Sequence, residues 1–585
     1  MSVNKIFYMS DSHQDEEVQE EEIFKENAYN LRSTCTMDFD DMLTKLGEFG
    51  RFQKILFISM IPFSCFLAFV YFSQIFLTLI PEDYWCNVPE LEGLTMAERL
   101  SLAIPKIDGE YSKCLVYDVN FTELLSNNIS SANVSWPTRT CYAGWHYNYT
   151  YIPYISLASE RDWVCERAVL ATYAQSLFFL GAIMGGLLFG WWADRYGRIP
   201  SLIACNLMGC TAGIITAYVQ NFWQFAIVRF LMGFAFDNCF TMMYILGKSE
   251  DQKSATKSVI HVCFDFVTVL EYVGPRYRTL VFNLSFALFF TTAACLLPWL
   301  AYYLANWRLF ALITSAPLIL AIFTFLILPE SARWLISQGQ IETAIKILQK
   351  MEKSNDSQIQ PEVYEHFAHS CLNSLQENYD HHYRYSLWDI FKTPRLRCNF
   401  ALMIIIWLSI TLIFDVHVRN VNSLGLNVFL TFTLLCFTEL PANTLLAVTL
   451  DKLGRRWWFC LSLITSGLLS FFASSVPLGL CSASLAVAGR FFVNISYNVG
   501  SQYAAEILPT VVRAQGLAFI HLMGYVALMV APFVAYLSNI SETLPLVVLG
   551  FLGIISGLLS LFLPETLNHD LPETLHDGEV YGKKQ

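Results

Sequence analysis

Six ionisable side chains lie within stretches otherwise apolar enough to sit in a membrane: Arg229, Asp237, Asp415, Glu439, Arg490 and His521. A charge at bilayer depth is costly, so each such group marks a binding site or an ion pathway by default. Three of the six are carboxylates, and Trp407, Phe491, Tyr497 and Tyr525 lie in the same kind of stretch. Aromatic faces attract protonated and quaternary amines, so acids and rings together suit a small organic cation or a zwitterion. Arg229 and Arg490 pull the other way, because they neutralise the acids or hold an anion. The scattered His and Cys residues lack metal-ligand spacing, and no nucleophile motif is present. The expectation is therefore no metal, no cofactor and no enzyme.

These side chains need helices to position them. A helix crosses the hydrocarbon core with about 20 apolar residues. The chain is 585 residues long, 55% hydrophobic and only 15% charged, and its apolar residues come in runs of that length. The runs lie near 55–80, 169–191, 201–219, 222–246, 279–304 and 309–328, then near 398–418, 426–449, 457–475, 480–503, 514–537 and 545–563. The expected fold is an all-α membrane protein with twelve transmembrane helices in two six-helix halves. An N-terminal bundle occupies 51–335 and a C-terminal bundle 398–563. A polar linker at 336–397 carries short amphipathic helices such as the one at 341–348, whose apolar residues recur at helical spacing. Residues 564–585 form a second tail.

The net charge of −12 is unevenly spread, since residues 1–50 hold 12 Asp/Glu against 4 Lys/Arg. That acidic N-terminal tail reads as disordered. No basic domain exists to neutralise phosphates, which excludes nucleic-acid binding as the main role.

Orientation follows from Lys and Arg in the short loops. Arg195, Arg198, Arg276, Arg278, Arg395, Arg397, Lys452, Arg455 and Arg456 all fall on one side, which places that side and both termini in the cytoplasm. The loop 81–168 is then extracellular. It carries four Asn-X-Ser/Thr sequons, Asn120, Asn128, Asn133 and Asn148, and four cysteines, Cys86, Cys114, Cys141 and Cys165. This composition fits an oxidising, glycosylated face with two disulfides, for which three pairings are open.

The halves echo each other. Gly190-Trp-Trp-Ala-Asp194-Arg195-Tyr-Gly197-Arg198 follows the second span, and Asp451-Lys452-Leu-Gly454-Arg455-Arg456 follows the eighth. Arg229-Phe230 in the fourth span matches Arg490-Phe491 in the tenth, and each half closes on Leu-Pro-Glu, at 328–330 and 563–565. Duplicated six-helix units suggest a transporter with its site at the repeat interface.

With these motifs the chain resembles the organic cation/anion (and carnitine) transporter family of the major facilitator superfamily. The resemblance also rests on Phe39-Asp-Asp, Gly47-Glu-Phe-Gly50-Arg-Phe-Gln53, Glu271-Tyr-Val-Gly-Pro-Arg276-Tyr-Arg278 and Pro329-Glu330-Ser-Ala-Arg333-Trp334. In the second half it rests on Glu439-Leu-Pro-Ala, Glu506-Ile-Leu-Pro509-Thr-Val-Val-Arg513 and Leu-Pro-Glu565-Thr. It implies carriage of small organic ions across the plasma membrane by alternating access. It also implies cytoplasmic ion-pair clusters that hold the inner gate shut: Arg198, Glu271 and Arg333 in one half, Arg455, Glu506 and Arg513 in the other. Asp194 and Asp451 belong to the same loops. Where the family's cation carriers place Lys and Tyr, this chain has Asp237 and Asp415. At position 525, where cation carriers tend to have Asp and anion carriers Arg, it has Tyr525. A cation or zwitterion is the favoured substrate, and an organic anion carrier of the same family is the alternative.

One stretch departs from the resemblance. Arg229 and Glu271 are 42 residues apart, where the family has about twenty. The surplus is the anomalous segment 247–268. Its Gly247-Lys-Ser is no P-loop, since position 242 is Met and not Gly. Gly-Lys-Ser can be encoded with a splice donor, GGT-AAG-T, and Val267-Thr-Val with an acceptor, GTA-ACA-GT. The expectation is a translated retained intron, and with it a non-transporting sensor or inactive isoform, disrupted by this segment, is a further alternative to the carrier. Transcript sequencing across codons 247–269 should recover a message lacking about 66 nucleotides; if every message retains them, the segment is a genuine insertion.

Overall fold

The structure, a computed structural model, describes residues 37, 39–59, 61–107, 109–126, 132–236, 272–273, 286–380, 386–567, 569 and 571–581. Asp237, Glu271, Asn128 and the segment 247–268 lie outside the described residues. Contacts divide the described chain into two compact units.

The larger unit takes 56–236, 286–329 and 386–581 and contains the spans. Among the described residues nine helices are long and apolar enough to cross a membrane, and three shorter apolar helices, Phe222–Phe236, Leu288–Leu304 and Leu544–Ser560, fall where the fourth, fifth and twelfth spans are expected. The first half is built on α1 (Ile61–Leu77), α2 (Val169–Tyr196), α3 (Arg198–Thr216), α4 (Phe222–Phe236), α5 (Thr291–Leu304) and α6 (Trp307–Leu326). The second half has α7 (Pro394–Arg419), α8 (Val428–Leu446), α9 (Arg455–Ser475), α10 (Leu480–Ile507), α11 (Thr510–Tyr536) and α12 (Leu544–Ser560). Without a hydrophobic drive between helices in lipid, small residues allow the close approach that dispersion needs. Gly233 of α4 shows why: a Cβ there would lie 1.8 Å from the carbonyl oxygen of Phe178 on α2.

Two helix N-termini of the second half are closed by carboxylates. Glu565 accepts the backbone N–H groups of Arg455 (3.0 Å) and Arg456 (3.3 Å) at the start of α9. Glu579 likewise accepts those of Arg395 and Leu396 at the start of α7, at 2.9–3.0 Å. Each anion satisfies donors that have no intrahelical partner and sits at the positive end of a helix dipole. The second repeat motif and the closing Leu-Pro-Glu are thus two parts of one cap.

The loop between α1 and α2 is not helical throughout. It holds three two-stranded antiparallel ribbons, including Tyr84–Cys86 against Trp145–Tyr147 and Leu115–Tyr117 against Thr138–Thr140. Of the three open pairings the structure has Cys86–Cys141 and Cys114–Cys165. The first joins two ribbons over a small core of Leu91, Leu102, Val116 and Phe121, and the second ties the residue before Leu115 to the turn that starts at Cys165. Among the sequons, Asn120 and Asn133 are exposed and Asn148 is half-buried. The loop is anchored to α6 through Glu160, which accepts from Trp307 Nε1 (2.8 Å) and from Arg308 Nη1 and Nη2 (2.8 and 2.7 Å). The Arg308 bonds, with help from Trp307, hold the Glu160 carboxyl below its usual range.

The smaller unit takes 37–55, 272–273 and 330–380. Its helix Phe39–Leu46 buries Phe39, Met42, Leu43 and Leu46, and Ile341–Asn355 buries Ile341, Ala344, Leu348 and Met351, the amphipathic pattern expected for the linker. Asn355 clasps the chain between these helices, donating to the Leu46 carbonyl (3.1 Å) and accepting from Phe52 N–H (2.9 Å). Gln53 donates to the Tyr272 carbonyl (3.1 Å), and the Tyr272 hydroxyl donates to the Glu330 carbonyl (2.7 Å).

Gly454 joins α9 to the helix before it with φ +84° and ψ 160°, and a Cβ there would meet Glu565 Oε2 at 2.9 Å. Gly454→Ala should destabilise the purified protein by about 1–3 kcal/mol, read as a lowered unfolding midpoint; an unchanged midpoint would show that the cap tolerates a side chain.

Candidate functional site

The site is built around α7, because successive turns of this helix place Trp407, Thr411, Phe414, Asp415 and Arg419 along its buried side. Asp415 is 1% exposed. Its Oδ1 accepts from the Tyr71 hydroxyl of α1 (2.8 Å), and its Oδ2 pairs with Arg419 Nε one turn further on. The Arg419 guanidinium lies over the rings of Tyr71 (6.0 Å) and Phe179 (5.4 Å). Two residues of the first half thereby frame an ion pair of the second.

A second pair lies nearby. Glu439, at the start of the helix Glu439–Leu453, accepts from Arg490 Nη2 of α10 (3.3 Å) and from Thr291 Oγ1 of α5 (3.1 Å). Arg490, fully buried, stacks on the Phe414 ring at 3.5 Å and donates to the Phe414 carbonyl. Of the three acids expected to attract a cation, the two that are described each come with an arginine. For Asp415 the cation is Arg419, which the sequence reading passed over. That span was expected to end at 418, one residue short, although the i, i+4 spacing of Asp415 and Arg419 is the signature of a helical ion pair.

The aromatic residues gather only in part. Trp407 packs against Tyr497 (5.0 Å between centroids) and His521 (4.7 Å), and Tyr497 against Phe414 (4.8 Å). Phe491 packs on Phe492 instead, and Tyr525 is buried in α11. Arg229 is fully buried over the Phe178 ring at 4.8 Å, and among the described residues none of its three guanidinium nitrogens has a hydrogen-bond partner.

Of the expected gate residues, Arg455 Nε pairs with Glu506 Oε1 at 3.2 Å, and Glu506 also accepts from Thr566. Arg513 Nε donates to the Leu508 carbonyl (3.0 Å). In the first half Arg198 pairs with Asp194 at 3.1 Å. Arg333 pairs with Asp40 and lies 4.8 Å over the Phe39 ring, so the Phe39-Asp-Asp motif supplies its anion within the smaller unit. Asp451 lies near the end of the helix Glu439–Leu453.

A cavity of about 1230 Å³ opens beside the disulfide loop. Cys114 and Cys141 line its outer part, and Gln74, Gln175, Arg419 and Asn420 line it from α1, α2 and the end of α7. The Arg455–Glu506 pair lies at the opposite end of the spans.

The chain matches the model of the sugar (and other) transporter family over residues 119–261 and 276–575. It is 31% identical over 560 residues to the carcinine transporter of Drosophila melanogaster, covering 93% of this chain and 80% of that one. It is 30% identical to the organic cation transporter protein of the same organism, covering 94% and 96%, and 30% identical to solute carrier family 22 member 1 of Bos taurus, covering 93% of each. The fold is similar to that of the xylose transporter XylE from E. coli in its inward-open conformation, with TM-score 0.52 and 14% identity over 90% of this chain and 99% of that one. The spans, the paired motifs and these relatives agree: the chain belongs to the organic cation/anion transporter family of the major facilitator superfamily and is a multi-pass membrane transporter, not an enzyme.

Proposed function

We propose that this transporter carries small organic cations or zwitterions across the plasma membrane by alternating access, with both termini cytoplasmic and the disulfide loop outside. The observation that carries the reading is the placement of the cavity. It opens on the loop side and descends to Arg419, while the Arg455–Glu506 pair joins α9 to α10 at the far side. A solute entering there meets a floor whose ion pairs, both within the second half, are hydrogen-bonded to the first half. Tyr71 to Asp415 and Thr291 to Glu439 are hydrogen bonds between halves, and such bonds must break and re-form when one bundle rocks against the other.

Organic cation, carcinine and β-alanine transporters are among the relatives, which favours an amine-bearing solute over an organic anion. Trp407, Tyr497 and Tyr525 would receive the amine, and Asp237, Asp415, Glu439, Arg490 and Phe491 would set the charge around it. Asp194, Arg198, Glu271, Arg333, Asp451, Arg455, Glu506 and Arg513 would serve the inner gate.

Two measurements test this. Vesicles holding the transporter should take up labelled tetraethylammonium or labelled 4-aminobutyrate saturably, and faster when preloaded with the same unlabelled solute; failure with both solutes, in the full chain and after deletion of 247–268, would refute the carrier. Glu506→Gln removes the acid from a pair whose side chains are 17% and 12% exposed. It should cost the inner-closed state about 1–3 kcal/mol and raise the apparent KM for external substrate at least about fivefold; an unchanged KM would remove Glu506 from the gate.

A further inference from the structure

Along the cavity beside the disulfide loop, polar atoms from three elements lack partners among the described residues. Gln74 Oε1, both amide atoms of Gln175, both of Asn420 and Arg419 Nη2 make no hydrogen bond there. Gln74, Gln175 and Asn420 are each 3% exposed and the Arg419 side chain 7%, and all four line the same cavity. Buried polar groups in native proteins nearly always find partners, so a cluster of orphans on one cavity wall points to a ligand.

The chemistry of the cluster is specific. Arg419 gives its Nε to Asp415, which leaves a charged donor free at Nη2. The Gln175 and Asn420 amides add neutral donors beside it. Guanidinium and amide donors on one wall suit a carboxylate, which accepts at both oxygens. The amide oxygens of Gln74, Gln175 and Asn420 are acceptors, and they suit an ammonium on the same small molecule.

We propose that Gln74, Gln175, Arg419 and Asn420 form an outer docking subsite for the carboxylate and ammonium of a small amino-acid zwitterion. The subsite rests on the carrier reading above and narrows its substrate class. A molecule held here stands over the Asp415–Arg419–Tyr71 linkage, in position to loosen that inter-half contact as it moves inward.

The test uses the purified full chain in lipid nanodiscs with 4-aminobutyrate and butylamine, which share a short chain and a primary ammonium and differ by the carboxylate. Calorimetric titration should show 4-aminobutyrate bound about tenfold more tightly than butylamine. Gln175→Leu and Asn420→Leu, which leave the ion pair intact, should each remove most of that advantage; either variant suffices if the other fails to fold. Equal affinity for the two probes in the natural protein, or an advantage surviving in a folded variant, overturns the subsite. Selective binding without any uptake would instead refute the carrier reading and leave the subsite standing.

Discussion

Everything in the membrane-spanning unit answers to the cost of removing charge from water. An ion taken into a low-dielectric interior loses several kcal/mol of solvation even after relaxation, so each buried charge needs a counter-charge in good geometry. Asp415 has Arg419 and Tyr71; Glu439 has Arg490 and Thr291. In both clusters the ion pair lies within the second half, and a hydroxyl of the first half adds a hydrogen bond to the carboxylate, so docking of the bundles completes a pair that is already neutral. Loss of one member of either pair would leave an uncompensated ion where the halves meet.

The same logic governs the helix ends. Unsatisfied N–H groups at the starts of α7 and α9 take the carboxylates of Glu579 and Glu565. These caps also tie the chain's last segment to the first and third helices of the second half. Gly454 makes the cap possible, because its positive φ lets Glu565 approach the turn. A loop motif that reads as cationic topology signal in the sequence is, in three dimensions, half of a helix-capping device.

Much of this architecture was legible from hydropathy and charge. Twelve apolar runs, a cysteine- and sequon-bearing loop opposite the Lys/Arg loops, and duplicated motifs suffice for the fold because lipid admits few alternatives. The features that escaped depend on contacts distant in sequence. Nothing local distinguishes Cys86–Cys141 with Cys114–Cys165 from the other pairings; the packing of the ribbons and the turn at Cys165 on one another decides it. Asp40 and Arg333 are far apart in the chain, so their pairing within the smaller unit could not be read from either motif, whereas Arg419 was within reach of the i, i+4 rule and was lost to a span boundary. The unpartnered amides of Gln175 and Asn420 carry no sequence signature, since an amide in an apolar stretch looks the same whether satisfied or not.

The central claim, that the Asp415–Arg419 ion pair is a coupled, desolvated unit at the contact between the halves, is tested most directly by a double-mutant cycle. Unfolding free energies of the purified protein in mixed micelles would be compared for the natural chain, Asp415→Asn, Arg419→Gln and the double variant. The account predicts that each single change costs about 3–5 kcal/mol by stranding its partner, while the double change costs far less than their sum. Additive effects, with the double variant losing the full sum, would contradict it.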